Sequence, residues 1–268
     1  MSGAGNRLEG RLAELRAAGR RGVAPYLTAG DGGLATTVAV LAALEEAGAA
    51  CVELGVPFSD PIADGPVLQA AGERALAAGT SLGAILDALA GYRAAGGELP
   101  VALMSYANPL LRRGWEAACA AAAAAGADAL IVPDLPLEES GEMRAAAAAA
   151  GLCPIHFAAP TSPVERLRAA AAASRGFLYV VGRTGVTGSG TTFDAATRAF
   201  LARVAALSPI PTAVGFGIRS AADVRAAVAH ADLAIVGSAM VERLHAAGPA
   251  AAPAAAAAFL AELQEGLR

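Results

Sequence analysis

The sequence predicts an α/β protein that folds as a single-domain (β/α)8 TIM barrel over residues 1–268. Eight short apolar runs, rich in Val, Ile and Leu and bounded by Gly or Pro, recur along the chain. Continuous apolar runs of this kind are typical of parallel strands that are buried on both faces. Alanine-rich helical segments lie between them, and eight strand–helix alternations favour a barrel. No Pro- or Ser-rich linker divides the chain, so one domain is expected.

The predicted strands and helices follow one another at nearly regular intervals. Most strand starts lie 22 to 34 residues apart, which suits one strand and one helix per repeat. The predicted strands are VAPYLTA from Val23, CVELGVP from Cys51, VALMSY from Val101, ALIVPDL from Ala129, CPIHFAA from Cys153, FLYVVG from Phe177, PTAVGFG from Pro211 and LAIVGSA from Leu233. Helices are predicted at 36–47, 115–125, 141–150, 163–173, 195–206 and 221–229.

Three segments depart from the regular repeat. Leu8, Leu12 and Leu15 recur at the spacing of an amphipathic helix, which predicts an extra N-terminal helix at about residues 6–18. The second and third strand starts are 50 residues apart, so an extended loop is expected after the second strand. Near the other end, the alanine run at 250–258 leads into FLAEL and predicts a terminal helix.

The composition disfavours several classes of protein. The chain is 56% hydrophobic with a mean hydropathy of +0.50, yet no stretch of about 18 uninterrupted strongly apolar residues occurs, so a membrane protein is not expected. A net charge of −4 disfavours a nucleic-acid binder, which normally has a basic face. All 20 cationic side chains are Arg, and a chain without Lys cannot form a Schiff base with a substrate.

The cysteines and histidines indicate a cytoplasmic protein without a metal. Cys51, Cys119 and Cys153 are odd in number and lack metal-ligand spacing, which predicts buried free thiols in a reducing compartment. The three histidines also stand apart from one another. The first residues alternate Arg with Glu and lack an apolar segment, so no signal or transit peptide is expected.

The segment after the second strand carries two candidate catalytic carboxylates, Glu53 and Asp64. Active sites of barrels lie at the C-terminal ends of the strands. Glu53 lies inside an apolar strand, where an ionised carboxylate is costly to bury, whereas Asp64 lies on a polar loop. Two such environments separate the pKa values and allow acid and base roles to be divided. The alternatives are a structural buried carboxylate for Glu53 and, for the nearby Asp60, a turn residue before Pro61.

Two glycine-bearing turns near the end of the chain form a candidate phosphate site. Gly217 follows the seventh predicted strand, and Gly237 with Ser238 follows the eighth, just before a helical segment. Glycines allow backbone amides to approach an oxyanion, and a helix N-terminus favours negative charge. The loops after strands seven and eight are the usual phosphate site of such barrels. Tight-turn packing is the alternative.

The loop at about 182–194, GRTGVTGSGTTFD, is a candidate lid. It contains four glycines within nine residues, with small hydroxyl side chains and one apolar anchor, Val186. Loops of this kind at a barrel mouth can close over a substrate. A solvated loop without a role is the alternative.

The motifs together resemble one family. PYLTAGD, ELGVPFSDPIADGP, YANP, PDLPLEES, APTSP, GVTG, GFGI and IVGSAMV occur in the order found in tryptophan synthase alpha chains, from about Val23 to Val241. The resemblance implies the substrate, indole-3-glycerol phosphate, which a retro-aldol reaction cleaves to indole and glyceraldehyde 3-phosphate. It also implies a partner, the tryptophan synthase beta chain, in an α2β2 tetramer, and it implies no cofactor.

The resemblance also implies roles for individual residues. Glu53 matches the general acid/base, and Asp64 matches the carboxylate that binds the indole N–H. Further positions match the lid threonine, the phosphate-binding residues, the lining of the indole pocket and the partner interface: Thr187 for the lid; Gly188, Gly217, Gly237 and Ser238 for phosphate; Tyr26 and Tyr179 for the pocket; and Asp60, Pro61, Asn108 and Pro136 for the interface.

Some positions depart from the family pattern. Gly182 stands where serine is common, Ser189 and Gly190 enrich the lid in small residues, and Gly32 replaces a proline often found after the Gly-Asp pair. These departures leave the catalytic groups intact. Two alternatives to the lyase subunit therefore stay open: a stand-alone indole-3-glycerol phosphate lyase of a specialised pathway, and a catalytically weak subunit that activates a beta chain. The presence of Glu53, Asp64 and Thr187 argues against the second.

Overall fold

The chain folds into a barrel of parallel strands surrounded by helices. The computed structural model describes residues 5–182, 193–215 and 217–268. The described strands are β1 (Gly22–Thr28), β2 (Val52–Gly55), β3 (Val101–Met104), β4 (Ala129–Ile131), β5 (Cys153–Ile155), β6 (Phe157–Ala158), β7 (Leu178–Val180), β8 (Thr212–Val214) and β9 (Leu233–Val236). They pair in the order β5-β4-β3-β2-β1-β9-β8-β7-β6, and every pairing is parallel.

The two ends of this order are halves of one barrel strand. β5 and β6 are separated by His156 alone, and β5 pairs with β4 while β6 pairs with β7. The His156 carbonyl accepts a hydrogen bond from the Tyr179 N–H at 3.0 Å, which continues the ladder across the break. The nine segments therefore form eight barrel strands, and each of the eight predicted runs contains one of them.

Helices alternate with the strands. The described α-helices are α1 (Arg7–Ala17), α2 (Leu34–Glu46), α3 (Pro66–Ala77), α4 (Leu82–Ala94), α5 (Ala107–Leu111), α6 (Trp115–Ala124), α7 (Gly141–Ala149), α8 (Val164–Ala173), α9 (Ala195–Leu207), α10 (Ala221–Val228), α11 (Ser238–Ala247) and α12 (Ala252–Gln264). Short 3₁₀ turns occupy Leu137–Glu139 and Glu265–Leu267. The predicted N-terminal and C-terminal helices are confirmed as α1 and α12.

The long interval after the second strand contains more than a loop. Residues 56–65 form the loop, and α3 and α4 follow it, so two helices rather than one connect β2 to β3. Pro66 begins α3, where its missing N–H leaves no hydrogen bond unmade. The short helix α5, after β3, was not predicted, because five residues carry too little periodicity.

Small side chains fill the barrel interior, and α1 closes its N-terminal end. Leu8, Leu12 and Leu15 pack in one cluster with inward-facing strand residues, which include Ala24, Cys51, Ala102, Ala129, Cys153 and Ala213. Because these strand residues are small, they leave the space that the three leucines occupy. Asn6 caps α1 by accepting hydrogen bonds from the N–H groups of Leu8 and Glu9.

The second and larger core lies between the strands and the helices. Strand residues that alternate with the inward-facing ones, such as Val52 and Leu54, pack there against helical side chains such as Leu41, Leu44 and Leu89. Cys51, Cys119 and Cys153 are buried free thiols, as predicted. The fold therefore leaves the polar strand-end residues as the unusual feature of an otherwise apolar barrel.

Among the described residues, no single helix combines the length and the apolarity that a membrane span requires. The pair α3 and α4 meets the same criteria only when joined across a bend of 93°.

Candidate active site

A cavity of about 490 Å³ opens at the C-terminal ends of the strands. Glu53 and Asp64 line it, together with Tyr26, Tyr179 and the turns at Gly217 and Gly237. Its location is the one expected for a barrel active site. The structure therefore brings together residues that lie more than 180 positions apart in the sequence.

Glu53 faces the barrel interior because β2 alternates its side chains. Val52 and Leu54 belong to the outer core, so Glu53 between them points inward, beside Tyr26 on the neighbouring strand. Its side chain is 1% exposed, and its Oε1 atom has no hydrogen-bond partner among the described residues. Burial raises the pKa of the Glu53 carboxyl from 4.5 to about 8. The carboxyl is therefore protonated at neutral pH.

Asp64 lies on the loop at 56–65 and is only half-buried. Burial raises the pKa of its carboxyl to about 6, and a hydrogen bond from the Tyr106 hydroxyl opposes that rise. Tyr106 also accepts a hydrogen bond from the Ala63 N–H at 2.9 Å, and its ring stacks on Phe58 with centroids 5.2 Å apart. Gln69 donates to the Asp64 carbonyl at 2.9 Å. These contacts hold an ionised carboxylate at the mouth of the cavity.

Two buried tyrosines lie between the carboxylates. Burial is the main cause that raises the pKa of both Tyr26 and Tyr179, and the charges of Glu53 and Asp64 raise both further. Each tyrosine is thus within electrostatic reach of both carboxyls. Gly55 and Gly215 leave room for the rings, because a Cβ at either position would collide with the hydroxyl of Tyr26 or Tyr179 respectively.

The predicted phosphate residues lie at one end of the same cavity. Gly217 has a φ of 60°, a backbone conformation that favours glycine. Gly237 is the N-cap of α11 and no side chain caps that helix end, so the first amides of α11, beginning at Ser238, are available to an anion. Thr187 and Gly188 lie outside the described residues, as do all residues from 183 to 192 of the lid predicted at about 182–194.

The four residues predicted for the partner interface lie on three neighbouring loops. Asp60 and Pro61 follow β2, Asn108 is in α5 after β3, and Pro136 follows β4. β2, β3 and β4 are adjacent in the sheet, so these loops meet at one side of the barrel mouth. Asp60, Asn108 and Pro136 are exposed and Pro61 is half-buried.

Several cavity residues were not predicted. Tyr106 closes the hydrogen-bond network of Asp64, and Asp134 accepts a hydrogen bond from the Ala107 N–H at 2.9 Å, which joins the loop after β4 to α5. Met104 and Arg219 line the cavity as well. Tyr106 begins the YANP motif and is the last residue of the predicted strand VALMSY, and a polar aromatic residue at a strand end was the available signal.

The described part of the chain contains no group of three or more His, Cys, Asp or Glu side chains placed to hold a metal ion. His156 is buried against the barrel, and burial together with the Arg144 charge lowers its pKa to about 4. The polar groups that line the cavity include the Glu53 and Asp64 carboxyls, tyrosine hydroxyls, backbone amides and the guanidinium groups of Arg166 and Arg219.

Comparison with known proteins identifies the family. A family model described as tryptophan synthase alpha chain matches residues 12–267. The chain belongs to the tryptophan synthase alpha chain family. A tryptophan synthase alpha chain of Burkholderia pseudomallei is 44% identical over 259 residues, which are 97% of this chain and 96% of the relative. One from Synechococcus is 46% identical over 258 residues, 95% of each chain.

Solved structures of the family agree with the fold. Tryptophan synthase subunit alpha from Legionella pneumophila superposes with a TM-score of 0.90 at 33% identity, covering 98% of this chain and 99% of that one. A chain of Mycobacterium tuberculosis tryptophan synthase superposes with a TM-score of 0.88 at 38% identity, covering 99% of each. The single (β/α)8 barrel that the sequence predicts is thereby confirmed.

One departure from the alpha chain pattern has a local structural consequence. Gly32, which replaces a proline common in the family, has a φ of 81°. Proline is confined to a φ near −65°, so the loop after β1 takes a path here that proline does not permit. Gly32 lies beside a separate cavity of about 290 Å³ between β1, α2 and α11, away from Glu53 and Asp64.

Proposed function

We propose that this alpha chain family member cleaves indole-3-glycerol phosphate to indole and glyceraldehyde 3-phosphate, as the lyase subunit of tryptophan biosynthesis. The observation that carries the proposal is the separation of two carboxyl pKa values in one cavity, about 8 for Glu53 and about 6 for Asp64. At neutral pH one group is an acid and the other an anion. A reaction that protonates carbon and stabilises the resulting cation requires this pair.

The proposed reaction begins with the proton on Glu53. The Glu53 carboxyl donates its proton to C3 of the indole ring, and the positive charge that develops on the ring nitrogen is stabilised by the Asp64 carboxylate, which accepts a hydrogen bond from the indole N–H. The low exposure of Glu53 supports this role, because burial keeps the carboxyl protonated at neutral pH, so that its proton is available to a substrate atom placed against it.

The carbon–carbon bond then breaks. The Glu53 carboxylate takes the proton of the adjacent glycerol hydroxyl, the oxygen forms the aldehyde of glyceraldehyde 3-phosphate, and the electrons of the broken bond neutralise the charged ring. Indole leaves with the new hydrogen at C3, and Glu53 is protonated again. Protons and electrons balance over the cycle, and the chain needs no lysine amine for it.

The rest of the cavity supports binding of this substrate. Tyr26, Tyr179 and Met104 supply aromatic and apolar surface for an indole ring. Gly217, Gly237 and Ser238 offer amides for the phosphate ester. Thr187 and Gly188 are proposed to complete the site from the lid, on the strength of the sequence motif alone.

We also propose a partner, the tryptophan synthase beta chain, in an α2β2 tetramer. The support is that the loops at the barrel mouth that carry Asp60, Pro61, Asn108 and Pro136 also carry two exposed aliphatic side chains, Ile62 at 77% and Leu111 at 48% exposed. This set of six residues is called the mouth surface below. Exposed aliphatic residues with a polar rim are typical of protein interfaces.

The buried free thiols support the proposal of a cytoplasmic location.

The test is steady-state cleavage of indole-3-glycerol phosphate, with and without beta chain. Strong activation by the beta chain supports the subunit, whereas fast turnover of the chain alone would indicate a stand-alone lyase. No cleavage under either condition would overturn both and leave an activating role only. Glu53→Gln and Asp64→Asn should each lower kcat by about 10²-fold or more, since each removes an acid/base or electrostatic group.

The controls separate chemistry from folding. Circular dichroism should show both variants folded, and Glu73→Gln, which alters an exposed carboxylate on α3, should cleave at the wild-type rate. Wild-type rates in either active-site variant would show that the proposed acid/base assignment is wrong.

A further inference from the structure

Among the described residues, no hydrogen bond or ion pair joins a side-chain cation to the predicted cradle of Gly217, Gly237 and Ser238. A phosphate monoester carries a charge of about −1.5 to −2 at neutral pH. The N-terminus of α11 supplies the equivalent of roughly half a positive charge. Among the described residues, the cations that line this cavity are Arg166 and Arg219. Most of the negative charge of the substrate phosphate therefore has no countercharge from the cradle itself.

Arg219 is the better placed of the two. It follows Gly217 by two residues, on the loop that leaves β8, whereas Arg166 is on α8 after β6. Its Nη2 atom lies 2.5 Å from Oε2 of Glu242. Glu242 is four residues after Ser238 on α11, and residues at that spacing on a helix lie about 5–6 Å apart. Glu242 thus lies one helical turn from the start of α11, and Arg219 lines the same cavity as the cradle.

The ion pair that holds Arg219 is weak, whereas its backbone is fixed. Arg219 and Glu242 are 50% and 41% exposed, and pairs of such exposure contribute little to stability. In contrast, the Arg219 N–H donates to Asp223 at 3.0 Å, and Ser220 donates to the same carboxylate at 2.9 Å. The side chain can thus change partner without any movement of the loop.

We propose that Arg219 is a phosphate-binding and specificity-determining side chain. Without a ligand, its guanidinium is held by the ion pair with Glu242. When a phosphate ester enters the cradle, the guanidinium exchanges the exposed carboxylate for the phosphate oxygens, which it binds in the two-pronged geometry that arginine and phosphate share. Arg219 then favours phosphorylated ligands over unphosphorylated ones. The proposal rests on the proposed function for the location of the phosphate, and it adds a residue that no motif indicated.

The experiment measures the dissociation constant of glycerol 3-phosphate by calorimetry at one ionic strength. Arg219→Gln should weaken binding by about ten-fold or more, because it removes a charge-assisted pair. Glu242→Gln should tighten binding by up to about five-fold, because it frees Arg219 from a competing carboxylate. The double variant should bind like Arg219→Gln alone.

Arg175→Gln is the matched control. Arg175 pairs with Glu9 at 2.6 Å, with exposures of 44% and 39%, near the N-terminal helix and away from the cavity. Loss of that pair should leave glycerol 3-phosphate binding unchanged. If Arg219 had only a structural role, Arg219→Gln and Glu242→Gln would change binding in the same direction or leave it unchanged, and either result would overturn the proposal.

Kinetics provide a second measurement. Arg219→Gln should raise KM for indole-3-glycerol phosphate with kcat largely preserved, since the phosphate contact is made equally in the ground state and the transition state. A chain that cleaves no indole-3-glycerol phosphate would contradict the proposed function, while the calorimetry would still decide the role of Arg219. Wild-type protein that binds no glycerol 3-phosphate would overturn the Arg219 proposal.

Discussion

Glu53 and Asp64 show how the environment of a side chain determines its chemistry. Both are carboxylic acids with similar pKa values in water. Glu53 is enclosed by the barrel, whereas Asp64 retains contact with solvent and a hydrogen bond from Tyr106. The difference of about two in their pKa values therefore arises from burial and one hydroxyl group. No cation is among the causes of either pKa shift.

The buried Glu53 should make the chain less stable as the pH rises. Between pH 4.5 and about 8 the folded chain keeps a proton that the unfolded chain has released, so the free energy of unfolding falls across this range. The full penalty above that range is on the order of 5 kcal/mol, at about 1.4 kcal/mol per unit of pKa. Glu53→Gln should remove this dependence and be the more stable protein at pH 9. Urea unfolding of both proteins at pH 5, 7 and 9 measures this pH dependence of the free energy of unfolding.

Asp128→Asn is the matched control for that prediction. Asp128 is also buried, at 3% exposed, but it pairs with Arg7 and Arg93, each at 3.0 Å. Its neutralisation leaves Arg93 largely buried and unpaired, so this variant should lose stability, in contrast to Glu53→Gln. Equal losses in both variants would show that Glu53 is a structural carboxylate.

At the scale of elements, the loop after β2 depends on a residue from the next strand. Tyr106, directly after β3, bonds both Asp64 and Ala63 and stacks on Phe58. One side chain thus orients the loop and adjusts the acidity of its carboxylate. Because the loop has few other anchors from outside its own repeat, its geometry follows the position of this hydroxyl.

Tyr106→Phe should shift the pH profile of cleavage. In the wild type, kcat/KM should rise as Asp64 ionises near pH 6 and fall as Glu53 ionises near pH 8. The Tyr106 hydrogen bond lowers the pKa of Asp64, so its loss should move the acidic limb to higher pH and leave the alkaline limb in place. Loss of a hydrogen bond to a charged group should also lower kcat/KM by about ten-fold or more.

Tyr92→Phe tests whether that effect is specific. The Tyr92 hydroxyl also bonds a carboxylate, that of Glu45, but on the outer side of the barrel. This variant should show both limbs at the wild-type pH. An unchanged acidic limb in Tyr106→Phe would contradict the assigned role of the hydroxyl.

At the scale of the whole molecule, the mouth surface places the proposed partner next to the chemistry. Its loops leave β2, β3 and β4, and the first of them also carries Asp64. A partner bound there would contact the loop that positions the carboxylate. Activation by a beta chain thus has a short physical route, since binding energy can order the loop at 56–65 directly.

Ile62→Asp should weaken binding of the beta chain and its activation of cleavage, because it places a charge at the centre of an apolar contact. An effect of about ten-fold or more on the dissociation constant is expected, while cleavage by the chain alone should be preserved. Titration of beta chain into the cleavage assay measures both quantities.

Leu76→Asp is the control for the partner surface. Leu76 is 37% exposed and lies near the end of α3, outside the mouth surface. The Leu76→Asp variant should bind the beta chain as the wild type does. Equal weakening by the two variants would place the interface elsewhere.

The strands, most helices and the chemically important residue types could be predicted from local sequence. Apolar runs and alanine-rich periodic segments repeat at a length that suits one βα unit, and Glu53 interrupts an apolar strand, which is visible without a structure. The helices α3, α4 and α5 were not predicted. α3 and α4 lie in the interval predicted as an extended loop after a Pro- and Gly-rich segment, and α5 is a single turn.

Local sequence is enough to predict that a barrel forms and that its strands and strand ends carry two carboxyls, two tyrosines and several glycines. How these groups interact depends on the tertiary structure. Tyr106 reaches Asp64 across 42 positions, Arg219 reaches Glu242 across 23, and Glu53 loses water when the strands close around it. Desolvation and hydrogen bonding depend on distance in space, and that distance is set by packing.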